Sequence, residues 1–390
     1  MLTNQSQNYI TAQYTMPEFE FGVPAMQEPY SARLEKLKGT IADNNLKGVI
    51  MVPGANLRFY TGVNSLLMER PFLFMVPLEG DPHLVVPTLE SGPYGRAPVK
   101  IMLHKWSDTE GPSSTLQEAI NQLQLNGRWG VEGDVPYRFV HLLLRYAQPQ
   151  LENADPMLQS IRAVKDAEEI RRLGRAASIL SKSFLHFFHL MKPGLSEIEV
   201  AQKVGQEIAR NGAESVQDVL VQSGPMAADG HHVPLSRKLR RKESVVVDAT
   251  CTFGGYFADI TRTFMIGRDP EFEELYNNVL EAQVAAVKAS RAGVSVGSID
   301  QAARGYLRNH QLDDYFIHRT GHGLGLEVHE APYIIPNGAE ITQESMAFTI
   351  EPGVYMQGKT GVRIEDDLIT TTAGNKNLTK AVPKEFGWWN

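Results

Sequence analysis

Residues 244–266 read SVVVDATCTFGGYFADITRTFMI. Two apolar runs rich in β-branched and aromatic residues, 244–250 and 256–266, read as strands. Asp248 ends the run Val245-Val246-Val247, and Asp259 sits inside the second run. A carboxylate on a buried strand is unfavourable unless it is paired, hydrogen-bonded or bound to a cation.

The same signature recurs downstream. Glu351 follows Phe348-Thr349-Ile350, Glu365 follows Val362-Arg363-Ile364, and His322 sits in GHGLG at 321–325. Taken singly, each carboxylate reads as a surface or ion-pair residue, and the histidine as a turn residue. Taken together, four carboxylates and one imidazole would repel one another until cations neutralised them. Two divalent ions bridged by carboxylates resolve that repulsion and can deprotonate a water. Oxygen ligands with one histidine suit Mn²⁺ or Co²⁺, and also Fe²⁺ or Zn²⁺.

Outward from this core, the chain divides by texture. Residues 31–45 read as a helix with Leu34, Leu37 and Ile41 on one face. GVIMVP (48–53), FLFMVP (72–77), HLVVP (83–87) and RWGVE (128–132) read as buried strands, so the first 150 residues suggest an α/β domain. From Val164 to about Met191 runs a long helix. A second runs from Leu195-Ser196 to about Asn211, with Ser196 and Glu199 forming a capping box. A third starts after Asp269-Pro270 and stops near Gly293, and a fourth spans about Ser298 to Asn309. AFTIEPGVYM (347–356) and VRIEDDLITTT (362–372) read as further strands.

Composition narrows the function. The chain has 390 residues and is 42% hydrophobic; 38 basic and 45 acidic residues give a formal charge of −7. An acidic balance argues against a nucleic-acid or anionic-membrane binder. Cys251 is the single cysteine, so no intramolecular disulfide forms, which fits a reducing compartment. Neither a secretory signal nor a membrane-length apolar run is evident, so the expected location is cytoplasmic.

D-x10-D with GY and TRT around the second Asp, HRTGHGLGLEVHEAP (318–332), TIEPGVY (349–355) and GVRIEDD (361–367) resemble the pita-bread metallopeptidase family (M24). The likeness covers about 160–385. A weaker one covers 30–150, where NLRFYTGV (56–63) is similar to the N-terminal domain of the family's Xaa-Pro dipeptidase (prolidase) and Xaa-Pro aminopeptidase branch. The resemblance implies an α+β chain: a polar arm at 1–27, a smaller α/β domain at 28–158 (creatinase N-terminal-like, RNase H-like), and a pita-bread catalytic domain at 159–390.

It also implies roles. Asp248 would hold one metal, His322 and Glu351 the other, with Asp259 and Glu365 bridging. A bridging hydroxide would attack the scissile carbonyl, and Glu351 would accept and return the proton. His329 would contact the substrate or stabilise the tetrahedral intermediate. His231, in SGPMAADGHHVP (223–234), matches a family histidine near the substrate, with His232 as the alternative. Arg363, by strand parity with Glu365, would support that ligand from the same face. His318 either lines the pocket or packs beside it, and Tyr355 reads as core. Two positions depart from the family pattern. Thr250 stands where many members have Gly, and Gly230 precedes His231 where Pro is common.

The expected function is therefore metal-dependent hydrolysis of the peptide bond before proline, in a homodimer, by a dipeptidase. Xaa-Pro aminopeptidase is the alternative. Methionine aminopeptidase usually lacks the N-terminal domain. A small-molecule hydrolase or lyase on this fold (creatinase, ectoine hydrolase or dimethylsulfoniopropionate lyase type) is a second alternative. The intact ligand set counts against creatinase, and together with the absence of charged tails it counts against a non-catalytic binding module.

Overall fold

Val49, Ile50, Met51 and Val52 are all buried, with alternate residues entering two different cores. A strand buried on both faces reads as an unbroken apolar run rather than an alternating one, which is why 48–53 stands out in the sequence. The computed structural model describes residues 29–389; the arm expected at 1–27 lies outside them. In the N-terminal domain β1 (Gly48–Met51), β2 (Leu73–Pro77), β3 (His83–Pro87), β4 (Met102–Trp106), β5 (Arg128–Val131) and β6 (Gln150–Asn153) form one mixed sheet, ordered β4-β3-β2-β1-β5-β6. Helix α1 (Tyr30–Asp43) covers one face with Leu34, Leu37 and Ile41. Short α2 (Ala55–Thr61) adds Leu57 and Tyr60. On the other face lie α3 (Ser113–Leu123) and α4 (Tyr137–Leu143), through Leu116, Ile120, Phe139 and Leu143.

Helix α5 (Asp155–Ala163) went unread in the sequence. Met157, Leu158 and Ile161 pack it into the N-terminal core. The long helix expected from Val164 is shorter: α6 (Ala167–Phe187) starts where Asp166 and Glu169 form a reciprocal capping box, and a 3₁₀ turn follows it. The capping box at Ser196 and Glu199 opens α7 (Glu197–Arg210) as expected. Asp269 caps α8 (Pro270–Ala289). Ser295 caps α9 (Val296–Asn309), slightly ahead of the expected start.

The C-terminal domain carries two sheets around one core. β7 (Ser215–Ser223), β8 (Ser244–Phe253) and β9 (Tyr256–Met265) form the first, against α6 and α7. The second is ordered β11-β10-β12-β15-β16. It uses β10 (Gly321–Gly323), β11 (Glu330–Ile334), β12 (Ala347–Ile350), β15 (Asp366–Thr371) and β16 (Gly374–Asn377), with α8 and α9 beside it. β13 (Gly353–Met356) and β14 (Thr360–Arg363) make a separate hairpin.

The strands expected at 347–356 and 362–372 are thus each two strands in different sheets. Pro352 cannot donate a ladder hydrogen bond, so β12 ends at Ile350. At the second break the Glu365 N–H donates to the Thr261 carbonyl of β9 (3.1 Å), which draws the chain away from β14. Arg363 and Glu365 therefore do not share one strand, and parity does not relate them.

The two domains meet through buried charge. Arg162, in α5, donates to Glu327 (2.5 Å) and Glu330, and Lys165 Nζ donates to Glu330 (2.5 Å). Arg162 also donates to Asn56 (3.0 Å), whose amide donates to Glu132 (2.5 Å). Burial pushes the Glu132 carboxyl up to about 7, against its hydrogen bonds from Val52 N–H and Asn56. A carboxyl raised in the folded state gives stability that is full below its unfolded value and lost as pH rises through the folded one. Wild type should therefore lose up to about 3 kcal/mol between pH 5 and 8 from this group. Glu132→Gln should flatten that part of the slope in urea midpoints across this range; an unchanged slope would remove Glu132 as its cause.

Cys251, on β8, is buried with its thiol 3.7 Å from the Ala176 carbonyl, and burial pushes it up to about 12. Among the described residues no helix is long and apolar enough to cross a membrane.

Candidate metal centre

The Gly254-Gly255 turn sets the geometry. Both glycines have positive φ (+58° and +82°), and Phe253 pairs with Tyr256 around them. A two-residue hairpin turn with both φ positive closes β8 onto β9 without splaying them. The register then pairs Asp248 with Thr261 and Thr250 with Asp259. Asp248 and Asp259 become diagonal neighbours on one face. The ten residues between them are what this tight hairpin requires.

His322 comes from β10, with its N–H donated to Thr349 (3.2 Å). Glu351 sits in the link after β12, held by its N–H to the Thr320 carbonyl (2.8 Å). Glu365 sits in the link between β14 and β15. All nine side chains singled out in the sequence line one cavity of about 580 Å³. His231 is exposed at its edge. His232 is buried on the Glu197 carboxylate (3.1 Å), within the interior beside it.

At the centre, Asp259, His322 and Glu365 each bring one ligand atom within 4.8 Å of the other two. The Nδ1–H of His322 donates to the Gly323 carbonyl (3.0 Å), so Nε2 presents a lone pair. Burial, then the neighbouring His329, push His322 down to about 3, which keeps it neutral. Its Nε2 faces Glu351 at 3.3 Å and Asp259 at 4.0 Å. Asp259 Oδ1 and Glu365 Oε1 are buried with no hydrogen-bond partner. Burial, then Glu365 and Asp248, raise Asp259 well above the carboxylate range. Burial, then Glu351 and Asp248, do the same for Glu365. Glu351 is pushed up to about 7 by burial, with Asp248 raising it against the pull of Arg363.

Acceptors thus face acceptors, and the missing partner is positive charge. Oxygen and imidazole donors at this spacing fit a divalent cation. Asp248 and Glu351 stand at the rim of the three-residue cluster. Asp248 accepts from Arg363 Nη2 (2.6 Å), the bond that orients its carboxylate.

A directed network surrounds the cluster. Arg363 donates Nη1 to the Tyr355 hydroxyl (2.9 Å) and Nε to Thr261 (3.2 Å). Thr261 in turn donates to Glu365 (2.6 Å). His318 donates Nδ1–H to the Arg319 carbonyl (2.7 Å), so its Nε2 accepts from Tyr355 (2.8 Å). Burial, then Arg363, push His318 down to about 3, consistent with that neutral tautomer. The His329 ring packs edge-on against His322, centroids 4.1 Å apart.

Three participants escaped the sequence reading. Tyr355 is buried, as expected of core, but its hydroxyl joins Arg363 to His318. Thr261 had a readable signal: it lies two residues after Asp259, on the same face. Arg319 lines the cavity three residues before His322, with nothing in its local pattern to mark it.

Residues 171–372 match Metallopeptidase family M24, and residues 33–164 match the Creatinase/Prolidase N-terminal domain. The chain is 35% identical over 371 residues to the probable dipeptidase PepE of Mycobacterium tuberculosis, covering 89% of this chain and 93% of that protein. Its structure is similar to a recombinant prolidase from Thermococcus sibiricus (TM-score 0.86, 33% identity, covering 93% of this chain and 99% of that one). It is also similar to an Xaa-Pro dipeptidase from Bacillus anthracis (TM-score 0.84, 28% identity, covering 92% and 99%).

Proposed function

Given that the chain belongs to metallopeptidase family M24 and is an enzyme that hydrolyses peptides, we propose that it is an Xaa-Pro dipeptidase working with two divalent cations, Mn²⁺ or Co²⁺. The observation that carries this reading is the acceptor-only cluster of Asp259, His322 and Glu365, with Glu351 and Asp248 at its rim. The similarity to prolidase and Xaa-Pro dipeptidase structures supports the choice of substrate.

Asp248, Asp259, His322, Glu351 and Glu365 would hold the cations, whose chemistry is Lewis acidity: they polarise a carbonyl and make water acidic near neutral pH. The chain's own residues do the rest. Arg363 and Thr261 fix the carboxylates of Asp248 and Glu365. Glu351, at the rim of the cluster with its backbone held by Thr320, is suited to take a proton from the attacking water and return it to the leaving proline nitrogen. His329, beside His322 and open to the cavity, is placed to donate to the carbonyl oxygen as charge develops there. His231 and His318 flank the space left for the substrate.

The test is metal analysis with peptide hydrolysis. The purified enzyme should hold about two Mn²⁺ or Co²⁺ per chain when loaded and should cleave Gly-Pro and Ala-Pro. Chelation should abolish cleavage, and Mn²⁺ or Co²⁺ should restore it. Cleavage that survives complete chelation would refute the metal-dependent reading. Cleavage of Ala-Pro-Ala without Ala-Pro would assign an Xaa-Pro aminopeptidase instead.

A further inference from the structure

Two arginines line the cavity, and they differ in what they hold. Arg363 is engaged by Asp248, Tyr355 and Thr261. Arg319 is not. Among the described residues its guanidinium makes no hydrogen bond or ion pair, and its one side-chain partner is the Tyr333 ring, 4.7 Å from the guanidinium carbon to the ring centroid.

Its root is nevertheless rigid. The Arg319 carbonyl accepts from His318, and the next residue, Thr320, is buried, donating its hydroxyl to Asp300 (2.7 Å) and accepting the Glu351 N–H through its carbonyl. The side chain is half-buried, and its charge reaches His322, His329 and Glu351. A planar fork braced on an aromatic face, with its donors unengaged at the wall of the same cavity, is suited to a carboxylate.

We propose that Arg319 is the specificity-determining residue that receives the C-terminal carboxylate of a dipeptide, and so makes the enzyme a dipeptidase. The assignment rests on the Xaa-Pro reading above. In Xaa-Pro the free carboxylate lies only a few bonds from the scissile carbonyl, so one ligand can meet the acceptor cluster and Arg319 together. A longer peptide offers Arg319 a neutral amide at that position. It leaves a half-buried guanidinium without its anion.

The test compares Ala-Pro with Ala-Pro-NH₂ on the metal-loaded enzyme. Wild type should prefer the free acid by about 10²-fold in kcat/KM, the effect of a charge-assisted pair. In Arg319→Gln that ratio should collapse toward unity, chiefly through a raised KM for the acid. Arg319→Lys should recover part of it. An amide cleaved as fast as the acid by wild type would overturn the role of Arg319 while leaving the peptidase reading standing, and so would a variant that loses equally on both substrates. No cleavage of either substrate would sink the Xaa-Pro reading, and this assignment with it. An absent preference in wild type overturns the assignment even if a variant does not fold, and a folded Arg319→Gln that keeps the preference overturns it as well.

Discussion

Asp259→Asn should lower kcat/KM on Ala-Pro at least about 10³-fold and deplete bound metal, while leaving the melting temperature in chelator equal to or above that of wild type. The two effects have one cause. Asp259 is buried beside Glu365, Asp248, Asp367 and Glu351, and one of its oxygens has no hydrogen-bond donor. An amide of the same shape removes a charge that its neighbours repel. It also offers N–H to a carboxylate, so the metal-free fold does not suffer. The same amide is a poor ligand for a hard cation, so the chemistry does. Circular dichroism and metal analysis on one preparation separate the two effects. A variant that keeps near-normal turnover with full metal would show that Asp259 holds neither cation.

Glu330→Gln should destabilise the enzyme by about 3–5 kcal/mol, although Glu330 is not among the five proposed cation ligands. Burial alone would raise its carboxyl; Arg162 and Lys165 outweigh that and hold it below the usual range. Removing the anion takes from buried Lys165 the carboxylate it donates to and leaves buried Arg162 with only the solvent-exposed side of its pairing, Glu327, at the seam between domains. A depressed carboxyl gives stability that is full above its unfolded value and lost as pH falls through the folded one. The deficit of the variant should therefore be complete at pH 7 and shrink in acid, where wild type loses the same contribution. Urea midpoints at pH 7 and below 4 measure it. A deficit under about 1 kcal/mol at pH 7 would mean that the seam is held by packing, as a solvent-exposed pair would leave it. Because His329 directly precedes Glu330, the same variant should also weaken turnover more than a surface change does.

What the sequence made legible follows from what side-chain patterns encode. Leu34, Leu37 and Ile41 announce a helix face, and Ser196 with Glu199 announces its beginning, because both signals are local. Asp248 and Asp259 were conspicuous because charge interrupts an apolar run. The breaks at Ile350 and Arg363 were not conspicuous. Alternation looks the same whether a strand stays in its sheet or leaves it, and the deciding bond, from Glu365 to Thr261, spans over a hundred residues. Helix α5 was obscured by its position at a junction. Tyr355 shows the limit most clearly: burial was foreseeable, but the use of its hydroxyl depended on Arg363 and His318 arriving from other segments.

The lone thiol on β8 has a practical reach beyond packing. Cys251 is sealed against Ala176 and so weakly acidic that almost none of it is thiolate at neutral pH. Alkylating reagents and peroxide meet it only when this part of the chain opens. The protein thus carries an intrinsic label for its own unfolding, one that needs no engineered probe.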